Sequence, residues 1–479
     1  MKKEYDVAII GGGPGGLSIG TLLAKEGISS VILEKDPTPG GRIRSVDFAG
    51  CKVDCATHFL VSLEGSVEKT SVYQHFKKLG LPLEYKIIPW AMSLVTKEKP
   101  GQIDFFEMDP ALGASNFFEF FAFATGVEMS NESKEELMHV ATICADMSEE
   151  ECHKVVNVSF ADWIDKNVKD PIAQAVMLGM EPVVGAPATN LNFGYVAKAF
   201  GTFISTGAPL IWYPDKGTLE TAFVDPQVKY YKDHGGEIVT NRIVSSISIE
   251  NGKATGVIAV DFRNRYMIEE YSSKAVICAM PIFEAVAKNV LSSEFITEEW
   301  AESIRRCAAL SGPDLSGFFL LNKEVLPEDG CGWMHIFDTD YGLPTYVGDC
   351  TLGSYINSSV PKGKQLVTSM IPGSLTTSQF GLNPTMDKVK AAHNAWKESI
   401  EKPFPGFNDA IEYEGMNLQL NFTRYAYAVV PTELEIQSPN IEGLYFGGDS
   451  IWALGKPMQD KCYEIAFPLC DRIREYLNT

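Results

Sequence analysis

The pattern of apolar and polar positions resolves first into a strand, a helix and a second strand at the start of the chain. Val7, Ala8, Ile9 and Ile10 form an unbroken apolar run too short for a helix, which predicts a buried strand. An amphipathic helical pattern follows to Gly27, and a second β-branched segment ends in Glu34. Farther on, residues 274–281 (KAVICAMP) read as a buried parallel strand ending in a turn, and Asn251-Gly252 marks a hairpin. Between these segments the texture changes. Residues 68–82 carry a helical pattern through Val72, Tyr73, Phe76 and Leu79 that stops at Gly80, and 84–107 alternate as strands do. Residues 115–126 (SNFFEFFAFATG) set Phe117, Phe118, Phe120, Phe121 and Phe123 around one acid, Glu119. A helix this apolar is buried in a core, lines an apolar pocket or meets a membrane surface, and it lacks the basic face that the last alternative uses. Residues 128–153 and 159–205 are mostly helical in pattern and read as a cap. Residues 315–321, 345–356 and 366–371 are strand candidates for the floor of a substrate cavity.

Composition narrows the class. With 479 residues and 45% hydrophobic content, the chain has room for two or three domains and a sizeable core. A formal charge of −21 disfavours nucleic acid and anionic membranes as partners. The 10 cysteines are scattered without CxxC, and the 7 histidines form no HxH or HExxH, so no metal is expected. Cys51 and Cys55 stand close enough in sequence for a redox pair, against which weighs the commoner free buried cysteine of a reducing cytosol. The start, MKKEYDVAII, enters the first strand without an apolar leader, and no apolar run is long enough to span a bilayer. A cytoplasmic location is therefore expected.

The chemistry begins at Gly11-x-Gly13-x-x-Gly16, placed between the first strand and the helix. Gly11 allows the tight turn, Gly13 lets the backbone approach a pyrophosphate, and Gly16 lets the helix pack closely on the strands. The helix N-terminus, opened by Pro14 and Gly15, offers N–H groups and a positive dipole end to phosphates. Glu34, followed by Lys35, lies at the distance from which a carboxylate accepts hydrogen bonds from a ribose 2′-hydroxyl. This is a dinucleotide-binding βαβ unit in pattern.

Residues 40–45 (GGRIRS) and 53–58 (VDCATH) resemble the second glycine motif of the flavoprotein superfamily that contains monoamine oxidases, protoporphyrinogen oxidase and phytoene desaturases. That resemblance implies FAD, with Gly40 and Gly41 along the cofactor and Arg42 near its pyrophosphate. Residues 440–449 (NIEGLYFGGD) resemble the superfamily's final cofactor motif, which implies that Gly448 and Asp449 meet the ribitol hydroxyls. The resemblance further implies that residues 455–459 (GKPMQ) open a last helix, at Met458, toward the flavin pyrimidine edge, and that Val244 meets the adenine through its backbone. The implied fold is α/β. A discontinuous Rossmann-like FAD-binding domain of glutathione-reductase type (1–66, 210–290 and 432–479) carries an inserted α+β substrate domain with a helical cap (67–209 and 291–431).

The expected activity is hydride transfer between flavin N5 and a C–C bond of an apolar small molecule, with an electron acceptor or donor of unknown identity. Tyr425, Tyr427 and Trp452 are candidate cavity residues. No catalytic acid or base is assigned, and His58 reads as a structural histidine in preference to a base. Aligned by Lys323-Glu324, the lysine beside the flavin in monoamine oxidases falls at Ser316-Gly317, and after Met458 the sequence DKCYEIAFP replaces their small-residue run. The first departure leans toward the desaturase branch, and the second leaves FAD binding intact but puts the identity of the substrate in doubt. Amine oxidation, redox-neutral isomerisation and a cofactor-free scaffold of the Rab GDP-dissociation-inhibitor kind are the alternatives.

Overall fold

The computed structural model describes residues 3–478 except 89, 96–101, 107–113, 180–186, 207–209, 310–311, 327–332, 339–342, 350–359, 372–384, 423–427, 452–455 and 457. The apolar run after Tyr5 becomes the strand Lys3–Ile10, inside a 7-stranded sheet. It pairs in parallel with Ser30–Leu33 on one side and Met267–Cys278 on the other, and Glu237–Val239 extends the sheet beyond Ser30–Leu33. Met267–Cys278 serves two neighbours along one edge. Its first half pairs antiparallel with Lys253–Asp261, and its carboxyl end pairs in parallel with Leu444–Phe446. Lys253–Asp261 turns back to Arg242–Glu250 through Asn251 and Gly252, at φ 52° and 78°, the left-handed pair that a two-residue hairpin turn requires.

Both faces of this sheet are covered, which is why its central strands run continuously apolar over Val7–Ile10, Val31–Leu33 and Ala275–Cys278. Val7, Ile9, Ile32 and Ile277 pack with Leu17 and Leu22 of the helix Pro14–Lys25 and with Tyr463 and Ile473 of the last helix, Met458–Leu477. Ala8, Ile10, Val31 and Val276 face the other way, onto Ile282 and onto Trp300 and Ile304 of the helix Glu298–Ala309. The helix Ser71–Leu79 ends at Gly80 in the left-handed region, where the apolar periodicity stops, and its Val72, Phe76 and Leu79 join the first core.

A second 7-stranded sheet has the order Ile411–Phe422, Gly312–Leu321, Gln365–Ile371, Leu343–Asp349, Trp333–Asp338, Trp90–Val95, Gln102–Phe106. It takes up the strand candidates near 315, 345 and 366, and adds Trp333–Asp338 and Ile411–Phe422, which the sequence pattern did not single out. Phe318, Leu320 and Leu366 point into the core of the first sheet, while Phe319 and Trp396 pack on the opposite face.

The helices Asn131–Asp146, Glu149–Lys154, Phe160–Asn167, Pro171–Leu178 and Phe193–Thr206 form a separate core. Ser130, Ser148, Ser159 and Asp170 cap four of them, and Ser148 with Glu151 completes a capping box. The helices cross closely: a Cβ on Gly194 would stand 2.1 Å from the Cys152 carbonyl oxygen. The aromatic segment becomes the helix Ala114–Thr125, and its Phe117, Phe118 and Phe121 are buried in this core, with Phe117 edge-on to Phe200 at 5.5 Å. For these three rings the core alternative holds. Among the described residues, no helix is long and apolar enough to cross a membrane.

Candidate cofactor site

The glycine bend is held by its own backbone. Gly11 turns at φ 100° and donates its N–H to the Leu33 carbonyl. A Cβ on Gly16 would lie 1.9 Å from the Gly11 carbonyl oxygen, and one on Gly15 would lie 2.6 Å from Gly448 Cα, so these two glycines satisfy close approaches within the protein. Gly13 differs. A Cβ there would meet only Gly41 Cα at 3.7 Å, an ordinary contact. Gly13 is also the N-cap of Pro14–Lys25 and supplies no side-chain acceptor, so the first-turn N–H groups lack the usual side-chain cap.

Glu34 ends the second strand almost fully buried. Its two carboxylate oxygens accept N–H bonds from Gly12 at 2.7 Å and Asp36 at 2.8 Å. Burial raises its carboxyl above the ordinary range, against the pull of those two N–H groups. Lys35 is exposed beside it, and Asp36 forms an ion pair with Arg44. Gly40 donates its N–H to the Gly12 carbonyl at 2.8 Å, which ties the second glycine motif to the first. Arg42 then reaches Asp449 at 2.5 Å, joining the chain's opening and closing motifs.

These segments line one cavity of about 270 Å³. Gly11, Gly13, Pro14, Gly15, Glu34, Lys35, Gly41, Arg42, Val244, Gly448 and Asp449 line it, while Gly16 and Gly40 stand behind its wall. Ala279, Met280 and Pro281 close it at the carboxyl end of Met267–Cys278, where ligands of such sheets gather. Met458 opens the last helix, but its side chain lies outside the described residues, as do Tyr425, Tyr427 and Trp452 altogether. Thr57, Gln459 and Cys462 also line the cavity, and Gln459 Nε2 donates to Thr57 Oγ1 at 3.2 Å. The three-residue spacing of Gln459 and Cys462 on one helix face was the available signal for them.

Residues 9–76 match the model of an NAD(P)-binding Rossmann-like domain. Prolycopene isomerase of the chloroplast from Daucus carota is 22% identical over 94% of this chain and 77% of its own. An oxidoreductase from Methanosarcina mazei superposes with a TM-score of 0.67 at 18% identity, covering 97% of this chain and 99% of the other. Cyclohexylamine oxidase from Brevibacterium oxydans superposes with a TM-score of 0.65 at 14% identity, covering 98% and 99%. The chain shares its fold with these two solved structures.

The hydroxyl of Ser316, in the strand Gly312–Leu321, lies 3.1 Å from His58 Nε2, while Gly317 faces Trp396 on the other side. Burial lowers His58 to about 4, so the imidazole is neutral.

Proposed function

We propose that the chain is an FAD-dependent oxidoreductase that moves a hydride between its flavin and a C–C bond of an apolar small molecule. The observation that carries this reading is the single cavity in which the opening glycine bend, the Gly41-Arg42 turn, Val244 and the Gly448-Asp449 motif meet. The fit to a flavin dinucleotide rests on two features of that cavity: the bare backbone at Gly13 and the uncapped helix start beside it. The helix N-terminus and Arg42 would hold the diphosphate. Glu34 would accept the ribose hydroxyls, its oxygens keeping lone pairs beyond those used by Gly12 and Asp36, and Asp449 would accept the ribityl hydroxyls. When bound, FAD supplies the two-electron hydride acceptor or donor. The chain's own contribution is binding, orientation and exclusion of water, the last from the helical core of residues 114–206 acting as a cap.

Redox-neutral isomerisation is the second reading, supported by the match to a prolycopene isomerase along 94% of the chain. Serine at position 316 weighs against an amine-oxidase site. The test is anaerobic incubation of FAD-loaded protein with cis-configured and partly saturated conjugated polyenes, following flavin and substrate absorbance together. Flavin bleaching with lengthening of the polyene chromophore is the expected result. Conversion with the flavin unchanged selects isomerisation, and ammonia release from an amine panel without polyene conversion overturns the proposal.

A further inference from the structure

Part of the cofactor cavity is walled by charges that the FAD reading has not used. Beside Glu34, the Arg242 N–H donates to the Glu34 backbone carbonyl at 2.9 Å, which sets the start of the strand Arg242–Glu250 next to the ribose-side acid. The helix Ile282–Ala287, entered through Met280 and Pro281, belongs to the same side of the sheet, since its Ile282 and Ala285 share a core with Val244, Ile10 and Leu33. Ile10, Leu33, Val244 and Met280 all line the cavity here and offer apolar walls to a flat ring.

Two charged side chains on these elements differ in what they have left to give. Arg242 lines the cavity, but its guanidinium is taken up within the protein. Glu269 accepts from it at 2.6 and 3.1 Å, Asp261 lies at 2.9 Å, and the Thr240 carbonyl accepts at 3.2 Å. Glu284 also lines the cavity and is 6% exposed. Its Oε2 accepts from Lys288 Nζ at 2.6 Å, one helical turn on. Among the described residues, no hydrogen bond reaches its Oε1. A carboxylate withdrawn from water needs donors for both oxygens, and the occupant of the cavity is the remaining source of one.

On the FAD reading, on which this inference rests, the flat ring beside Val244 is adenine. Its exocyclic amino group is a donor, and an ionised carboxylate only accepts. We infer that Glu284 selects a 6-aminopurine in the bound dinucleotide: Lys288 fixes one carboxylate oxygen, and the other accepts an N–H of the 6-amino group. A 6-oxopurine places an acceptor at that point, so two acceptors would face each other out of water. Glu284 is a binding residue and touches none of the reacting atoms.

The test uses full-length protein stripped of FAD and titrated, by flavin fluorescence, with FAD and with its deaminated analogue, flavin hypoxanthine dinucleotide, alongside Glu284→Gln. Wild-type protein is expected to bind FAD about thirtyfold more tightly than the analogue. Glu284→Gln keeps the shape and an acceptor for Lys288, and its amide can also donate to a 6-oxo group, so the preference should narrow to within about threefold. A residue that only supports the fold would weaken both ligands together and leave their ratio unchanged, so an undiminished ratio in Glu284→Gln overturns the inference. Equal wild-type affinity for the two dinucleotides overturns it without any variant and leaves the FAD reading standing. Failure of the wild-type protein to bind either dinucleotide overturns both.

Discussion

Gly13→Ala separates a ligand cradle from a turn that exists for the protein's own sake. The added Cβ meets only Gly41 Cα, at 3.7 Å, and φ at this residue is −76°, which any residue adopts. The free protein should lose no more than about 1 kcal/mol, the difference between glycine and alanine at an N-cap. A diphosphate seated against the backbone would instead collide with the methyl. Overpacking of that kind costs about 1–3 kcal/mol, which is roughly 5- to 150-fold in Kd. Gly16→Ala is the contrasting variant: its Cβ would sit 1.9 Å from the Gly11 carbonyl oxygen, so folding itself should suffer. The assay is fluorescence titration of the stripped protein with FAD, paired with thermal unfolding in its absence. Undiminished FAD affinity in Gly13→Ala would refute the reasoning, because the bare backbone would then have no ligand to serve.

Arg42→Met should weaken FAD binding by about 2 kcal/mol, near thirtyfold, if the guanidinium serves the diphosphate; an unchanged Kd in the same titration contradicts this. His58, held neutral with its ring lowered to about 4, makes acid destabilising: the unfolded chain takes up a proton near 6.5, so stability drains as pH falls from there toward 4. His58→Gln should therefore lose about 2 kcal/mol less than wild type between pH 7 and 5 in urea unfolding, and identical pH dependence would count against it. Phe121→Ala removes a ring that is 1% exposed and should cost about 3–5 kcal/mol; a loss below about 1 kcal/mol would mean that the ring is not core.

The legible parts of the fold were those written in local physics. The strand–helix–strand unit follows from a continuous apolar run and glycines at fixed offsets, Gly80 ends its helix where periodicity ends, and Asn251-Gly252 dictates its hairpin. What stayed hidden depends on distant partners. Arg42 and Asp449 are 407 residues apart, and no local pattern states that they touch. Trp333–Asp338 lies parallel to Trp90–Val95 in the second sheet, a pairing fixed by tertiary packing. Ile411–Phe422 is a sheet edge with Glu412, Tyr413 and Glu414 all exposed, so the apolar alternation that announces a strand is broken at its start. The phenylalanine helix showed that it must be covered, but its cover, Phe200 among others, comes from a helix some 80 positions later in the chain.

The most direct test of the central claim is the visible spectrum of the purified protein, with the released cofactor identified by mass. The expected result is an oxidised flavin band near ~450 nm and stoichiometric FAD, or its appearance when the protein is reconstituted with FAD. A colourless protein that takes up no FAD would contradict the account.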